Sequence, residues 1–216
     1  MCDTLNEIRP HDLLRLRDGA RVIPDAGFPP WAHVALGETP WVVVRRAPLR
    51  GDRIPVGIRG AARSQRCAAS VPVDDVLARI APEDLAALRG WIDHHRAALI
   101  PPIAALPFVA AVFEESSLPW GPIGSVGFEL ASAWPAARDA SDLDTIVRSP
   151  VPLSRLVAAS ILGRLAQCPV HIDVQLETPA GAVALAEFAS ARDKVVLRTS
   201  TGPLLVDDPW TTASAR

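Results

Sequence analysis

Tyrosine is absent from the 216 residues and Lys194 is the single lysine, so almost all of the positive charge is arginine. A high-GC genome produces that bias, and the arginine excess by itself is no ground for inferring phosphate binding. Cysteine is scarce too. Cys2, Cys67 and Cys168 are odd in number, widely spaced and without a Cys-x-x-Cys pair, which excludes a disulfide framework and a cysteine zinc site and fits a reducing cytoplasm. No apolar run approaches the roughly 18 residues of a membrane span. The N-terminus carries Asp3, Glu7, Arg9 and Asp12 where a signal peptide would be apolar, so a cytoplasmic location is expected. Nor is there an excess of either charge: 22 basic and 24 acidic side chains give a net charge of −2, which argues against a nucleic-acid-binding surface spread over the whole protein.

What is present concentrates in Gly121–Arg148. A Gly124-Ser125 pair follows a short apolar entry, and Asp142-Leu143-Asp144 opens the run Thr145-Ile146-Val147, which reads as a strand. On a strand, alternate side chains share a face, so Asp142 and Asp144 point the same way while Leu143, Thr145 and Val147 face the other side. Two carboxylates held that close repel unless a cation neutralises them, and a hard divalent ion such as Mg2+ or Mn2+ is the usual partner. In Val170–Leu176 the alternation is strict: Val170, Ile172, Val174 and Leu176 form an apolar face, and His171, Asp173 and Gln175 a polar one. A strand there, lying beside the first, would bring Asp173 to the pair. Three carboxylates can hold two Mg2+ ions about 3.5–4 Å apart, an arrangement that activates an attacking oxygen and stabilises a leaving pyrophosphate.

The rest of the chain reads as an α+β protein. Residues 1–40 look irregular apart from a helical turn at His11–Leu16. Trp41–Ala47 and Arg53–Ile58 read as two strands joined across Gly51-Asp52, and Arg45, Arg46, Arg50, Arg53, Arg59, Arg63 and Arg66 cluster there. That cluster is either a patch for phosphates or an acidic carrier protein, or a strand edge protected by charge. Pro72–Leu99 has helical spacing; the adjacent His94 and His95 cannot share a helix face and are poor metal candidates. Pro101-Pro102 and Pro107 suggest a linker, placing a β-rich N-terminal domain with a helical segment at 1–103 and a mixed sheet with helices at 104–216. In the latter, Leu153–Leu165 with Ser154 as cap and Ala180–Ala191 read as helices, and Lys194–Arg198 with Leu204–Val206 as a hairpin.

Gly-Ser, a helix, Asp-x-Asp on a strand and a third Asp on a neighbouring strand resemble the polymerase-β-type nucleotidyltransferase superfamily, although the 16-residue spacer between Ser125 and Asp142 is long for it. A closer resemblance spans nearly the whole chain. Arg9–Leu14, Ile54–Gly60 with Arg63 and Gln65-Arg66, Trp120–Leu130 and Asp208-Pro209-Trp210 are similar to the malonate decarboxylase holo-acyl-carrier-protein synthases, which are phosphoribosyl-dephospho-CoA transferases. The resemblance implies a nucleotidyltransferase-like catalytic domain. It also implies transfer of a phosphoribosyl-dephospho-CoA group from triphosphoribosyl-dephospho-CoA to a serine of the apo acyl-carrier subunit of malonate decarboxylase. Asp142, Asp144 and Asp173 would be catalytic and hold the metal; Gly124, Ser125, Arg59, Arg63, Arg66 and Lys194 would bind substrate. The Asp triad alone leaves other acceptors open: the citrate lyase carrier, a small molecule or RNA. A non-catalytic binding module on the same fold is the remaining alternative.

Overall fold

The computed structural model describes residues 8–211; Cys2, Asp3 and Glu7 lie outside them. The chain forms two compact units, residues 1–81 with 131–136, and residues 82–130 with 137–216. The division falls between Ala81 and Pro82 rather than near residue 103, because Trp91, Ile100 and Ile103 are buried in the second unit's core.

In the first unit the strands β1 (Leu13–Leu16), β2 (Ile23–Pro24), β3 (Trp41–Val44), β4 (Arg53–Arg59), β5 (Arg66–Pro72) and β6 (Val76–Ile80) form one sheet, ordered β2-β5-β4-β3-β1-β6. Every pairing is antiparallel. The helix α1 (Pro30–Glu38) starts with proline in its first turn, where a missing N–H costs nothing. The β3–β4 pair matches expectation, but two segments differ. His11–Leu16 is not a helical turn: Leu13–Leu16 is a strand lying between β3 and β6, with Leu13, Leu14 and Leu16 buried. Residues 8–40 therefore hold more regular structure than their Pro and Gly content suggests. Val76–Ile80, read as helical, is a strand because β1, some sixty residues earlier, offers it a ladder. The carboxylate of Asp75 is fully buried and accepts from Arg17 Nε (2.7 Å), the Arg21 backbone N–H (2.7 Å) and Arg21 Nε (3.0 Å). These bonds, Arg21's first, hold its pKa far below the usual carboxylate range.

The second unit contains α2 (Pro82–Leu88), α3 (Pro101–Ala104), α4 (Leu106–Glu115), β7 (Trp120–Pro122), α5 (Gly124–Ser132), β8 (Leu143–Arg148), α6 (Arg155–Leu165), β9 (Ile172–Thr178), β10 (Gly181–Ala184), α7 (Leu185–Ser190), β11 (Val195–Thr199) and β12 (Gly202–Val206). The six strands form a mixed sheet in the order β12-β11-β10-β9-β8-β7. Its one parallel pair is β8–β9, joined by α6 as parallel neighbours require. Strand β8 is buried almost end to end, and Phe113 stacks on Trp120 at 5.2 Å in the core beside it.

Helix α6 begins where Ser154 predicts, its side chain accepting from the Val157 N–H. Helix α2 stops at Arg89, whose φ of 49° is left-handed, and His94 and His95 lie in the turns that follow. Pro101-Pro102 is not a linker but the first turn of α3. The alanine-rich run 180–191 is not one helix. Gly181 adopts φ 152° where β10 turns back onto β9, and only Leu185–Ser190 is helical. The Asp208-Pro209-Trp210 run acts as a clasp: Trp210 Nε1 donates to the Ser149 carbonyl (2.9 Å), its ring meets Phe188 edge-on (5.3 Å), and Thr178 Oγ1 donates to the Pro209 carbonyl (2.6 Å). Cys67 and Cys168 are free thiols, and no helix among the described residues is long and apolar enough to cross a membrane.

Candidate active site

Strand direction assembles the site. Strand β9 is parallel to β8 and antiparallel to β10, and β10 is antiparallel to β11, so β8, β9 and β11 all start at one end of the sheet. Strand β7 runs opposite to β8 and therefore ends there. Asp142 just before β8 rather than on it, Asp144 at the start of β8, Asp173 at the start of β9, Lys194 just before β11 and Gly124-Ser125 just after β7 thus share one edge.

Asp144 and Asp173 are directly in register across the parallel pair. Neighbouring strands are about 4.8 Å apart and in-register side chains share a face, so these two carboxylates stand side by side. Asp142 lies two residues before Asp144, with buried Leu143 between them pointing the other way. The start of β8 is pinned by the Leu143 N–H, which donates to the His171 carbonyl (3.0 Å), and by the Ile123 N–H, which donates to the Asp144 carbonyl (2.9 Å).

The turn into α5 also depends on Asp144. Gly124 has φ 63°, a left-handed conformation, and a Cβ built there would lie 2.1 Å from Asp144 Oδ2. Only glycine lets the backbone approach the carboxylate so closely. Ser125 follows, buried, in the first turn of α5, where backbone N–H groups lack helical partners and favour anions.

Among the described residues no group of three or more His, Cys, Asp or Glu side chains stands close enough together to hold a metal ion. The chemistry of the candidate donors nevertheless suits Mg2+ or Mn2+: all are hard carboxylate oxygens, Asp144 and Asp173 stand in register, and no bonded arginine or lysine neutralises Asp142 or Asp173 among the described residues. His171, which the sequence reading placed on the polar face without a role, has Nε2 3.2 Å from Asp173 Oδ1, both side chains exposed.

The arginine cluster divides between the two ends of the β4–β5 hairpin. At one end Arg45 pairs with Asp25 (2.8 Å), Arg53 donates to Ser70 Oγ (3.0 Å), and both line a small pocket with Arg50. At the other end Arg59 and Arg66 face each other across the strands, with Arg63 exposed in the connecting turn. The candidate substrate-binding arginines are therefore together, but on the first unit, whereas the carboxylates belong to the second.

Comparison with known proteins covers both units. A family model described as Phosphoribosyl-dephospho-CoA transferase MdcG N-terminal domain matches residues 9–82, and one described as Phosphoribosyl-dephospho-CoA transferase MdcG C-terminal domain matches residues 85–209. Curated proteins named phosphoribosyl-dephospho-CoA transferase are similar over nearly the full length. That of Azotobacter vinelandii is 41% identical over 211 residues, covering 96% of each chain. That of Pseudomonas putida is 41% identical over 206 residues (95% of this chain, 97% of the relative), and that of Pseudomonas aeruginosa 41% over 201 residues (93% of each). No solved structure matches the chain.

Proposed function

The chain belongs to the phosphoribosyl-dephospho-CoA transferase family, and from that premise we propose that it moves a 2'-(5''-phosphoribosyl)-3'-dephospho-CoA group from its triphosphate donor to a serine of the apo acyl-carrier subunit of malonate decarboxylase, releasing pyrophosphate. The observation that carries this reading is the meeting of Gly124-Ser125, Asp142, Asp144 and Asp173 at one sheet edge.

In this reading the α5 N-terminus and the Ser125 hydroxyl hold the departing pyrophosphate. The serine oxygen of the carrier attacks the ribose-bearing phosphorus, the bond from phosphorus to the pyrophosphate oxygen breaks, and Asp173 helps draw off the hydroxyl proton. Its exposed position leaves room for a protein acceptor. Asp142, Asp144 and Asp173 would hold Mg2+ or Mn2+, which when bound offsets the negative charge of the donor phosphates. Lys194, just before β11 at the same edge, would meet donor phosphates, and Arg59, Arg63 and Arg66 would form the face for donor phosphates or an acidic carrier.

The test is to incubate the purified protein with triphosphoribosyl-dephospho-CoA and the apo-carrier, following carrier mass and pyrophosphate. A mass gain of one prosthetic group, with equal pyrophosphate and no gain in excess EDTA, is the expected result. Modification of only the citrate lyase carrier would reassign the acceptor, and full activity in EDTA would remove the metal from the mechanism.

A further inference from the structure

We propose that Glu129, together with Arg96, is a positioning pair that fixes the distance between the Gly124-Ser125 turn and Asp142 by gripping the Ala137 peptide. The inference rests on the functional reading above and concerns the 16 residues that separate Ser125 from Asp142.

Glu129 lies four residues after Ser125 on α5, one helical turn along, and its side chain is 1% exposed. Its Oε1 accepts from Arg96 Nη1 (2.7 Å), and its Oε2 accepts from the Ala137 N–H (2.8 Å). Arg96 Nη2 donates to the Ala137 carbonyl (3.0 Å). Both polar groups of one loop residue are therefore held by an ion pair anchored in the helix that opens with Gly124. From Ala137 the path to the carboxylates is short and fixed. Arg138 N–H donates to Ser141 Oγ (3.0 Å), Ser141 N–H donates back to the Arg138 carbonyl (3.0 Å), and Asp142 follows.

Arg96 is held in turn by its own segment, with its N–H on His94 Nδ1 and its carbonyl accepting from Leu99 and Ile100 between buried Trp91 and Ile100. His94 Nε2 is 3.7 Å from Glu129, and burial lowers its pKa, so Arg96 is the cation that answers the Glu129 charge. A buried ion pair is seldom the most stable filling for its site; replacing both partners with apolar residues of similar volume is often neutral. What the pair holds is the approach to the strand: backbone bonds pin Leu143 and Asp144, whereas Asp142 lies just before β8, and the grip on the Ala137 peptide fixes the spacer that leads to it. Misplacement of about 1 Å is enough to cost on the order of a hundredfold in rate.

The test separates holding from folding. Glu129→Gln keeps the side-chain volume but loses one of the two charge-assisted bonds. The double variant Glu129→Leu with Arg96→Met removes the pair without stranding a charge. For each, kcat, the donor KM, the melting temperature and direct Mn2+ binding by calorimetry are measured, with Asp142→Ala as control. The expected result is a kcat about 10- to 100-fold lower in folded protein, a donor KM little changed, weaker Mn2+ binding, and no recovery of rate in the double variant even if its stability returns. Recovery of kcat along with stability, or an unchanged kcat in Glu129→Gln, would overturn the proposal. Should the double variant fail to fold, Glu129→Gln decides alone, with Arg96→Lys expected to regain part of the rate. An active Asp142→Ala control would instead overturn the functional reading beneath it.

Discussion

Asp75 in the first unit and Asp142 and Asp173 in the second have the same side chain and opposite surroundings. Asp75 is fully buried with Arg17 and Arg21 on its oxygens, so its charge is consumed by the fold. Asp142 and Asp173 reach solvent at a sheet edge, with no bonded arginine or lysine among the described residues. A carboxylate already answered by cations cements a structure, whereas carboxylates gathered without them are available to an ion or a substrate.

The sharpest way to break that comparison is to delete each kind. Asp142→Ala or Asp144→Ala is expected to abolish transfer while leaving the melting temperature close to wild type; activity within about tenfold of wild type, or roughly 1.4 kcal/mol of barrier, would end the assignment. Asp75→Ala should do the reverse, lowering the melting temperature by several degrees with little change in rate per folded molecule. Gly124→Ala comes next. It strains a left-handed backbone by about 1–2 kcal/mol and drives a methyl into Asp144, so activity should be lost with only moderate destabilisation. A stable, active Gly124→Ala would show that the close approach is not needed.

Acid offers a milder probe. The folded pKa of Asp75 is depressed, so the unfolded chain takes up the proton first, and the stabilisation is complete above the unfolded value of about 3.9 and drains away as pH falls below it. Denaturant midpoints measured from neutrality to about pH 3 should fall less steeply for Asp75→Asn than for wild type. Equal slopes would assign the acid sensitivity elsewhere.

The smallest effect concerns the arginines. Reversing Arg59 and Arg66 to glutamate should weaken binding several-fold, and added salt should weaken the wild type in the same direction. A raised carrier KM alone indicates docking, weaker donor binding without carrier indicates phosphate contact, and no change leaves a charged strand edge.

These contrasts also explain what the sequence could reveal. Asp173 was legible because one face of β9 is buried, which forces alternation from Ile172 to Leu176, although the strand begins at Ile172 and not at Val170. Ser154 announced α6 because a cap acts within three residues. The α+β class and the shared edge of Asp142, Asp144 and Asp173 followed from such local signals plus one assumed pairing. What failed depended on distant partners. Val76, Leu77 and Ile80 satisfy helical spacing as well as a strand does, and β1 decided between them. Arg96 and Glu129, 33 residues apart, carry no pattern that links them, and the Arg cluster gave no sign that Asp25 and Ser70 would occupy one end of it.

The parallel pairing of β8 with β9 has a further consequence, for the order in which the protein matures. Asp144 and Asp173 become neighbours only after the chain has looped through α6 and returned, whereas the β11–β12 and β9–β10 hairpins need only local closure. Non-local parallel pairing is slow because loop entropy is lost before contacts compensate for it. A refolding chain is therefore expected to regain helical circular dichroism before it regains transferase activity, with catalytic competence among the last properties the molecule acquires.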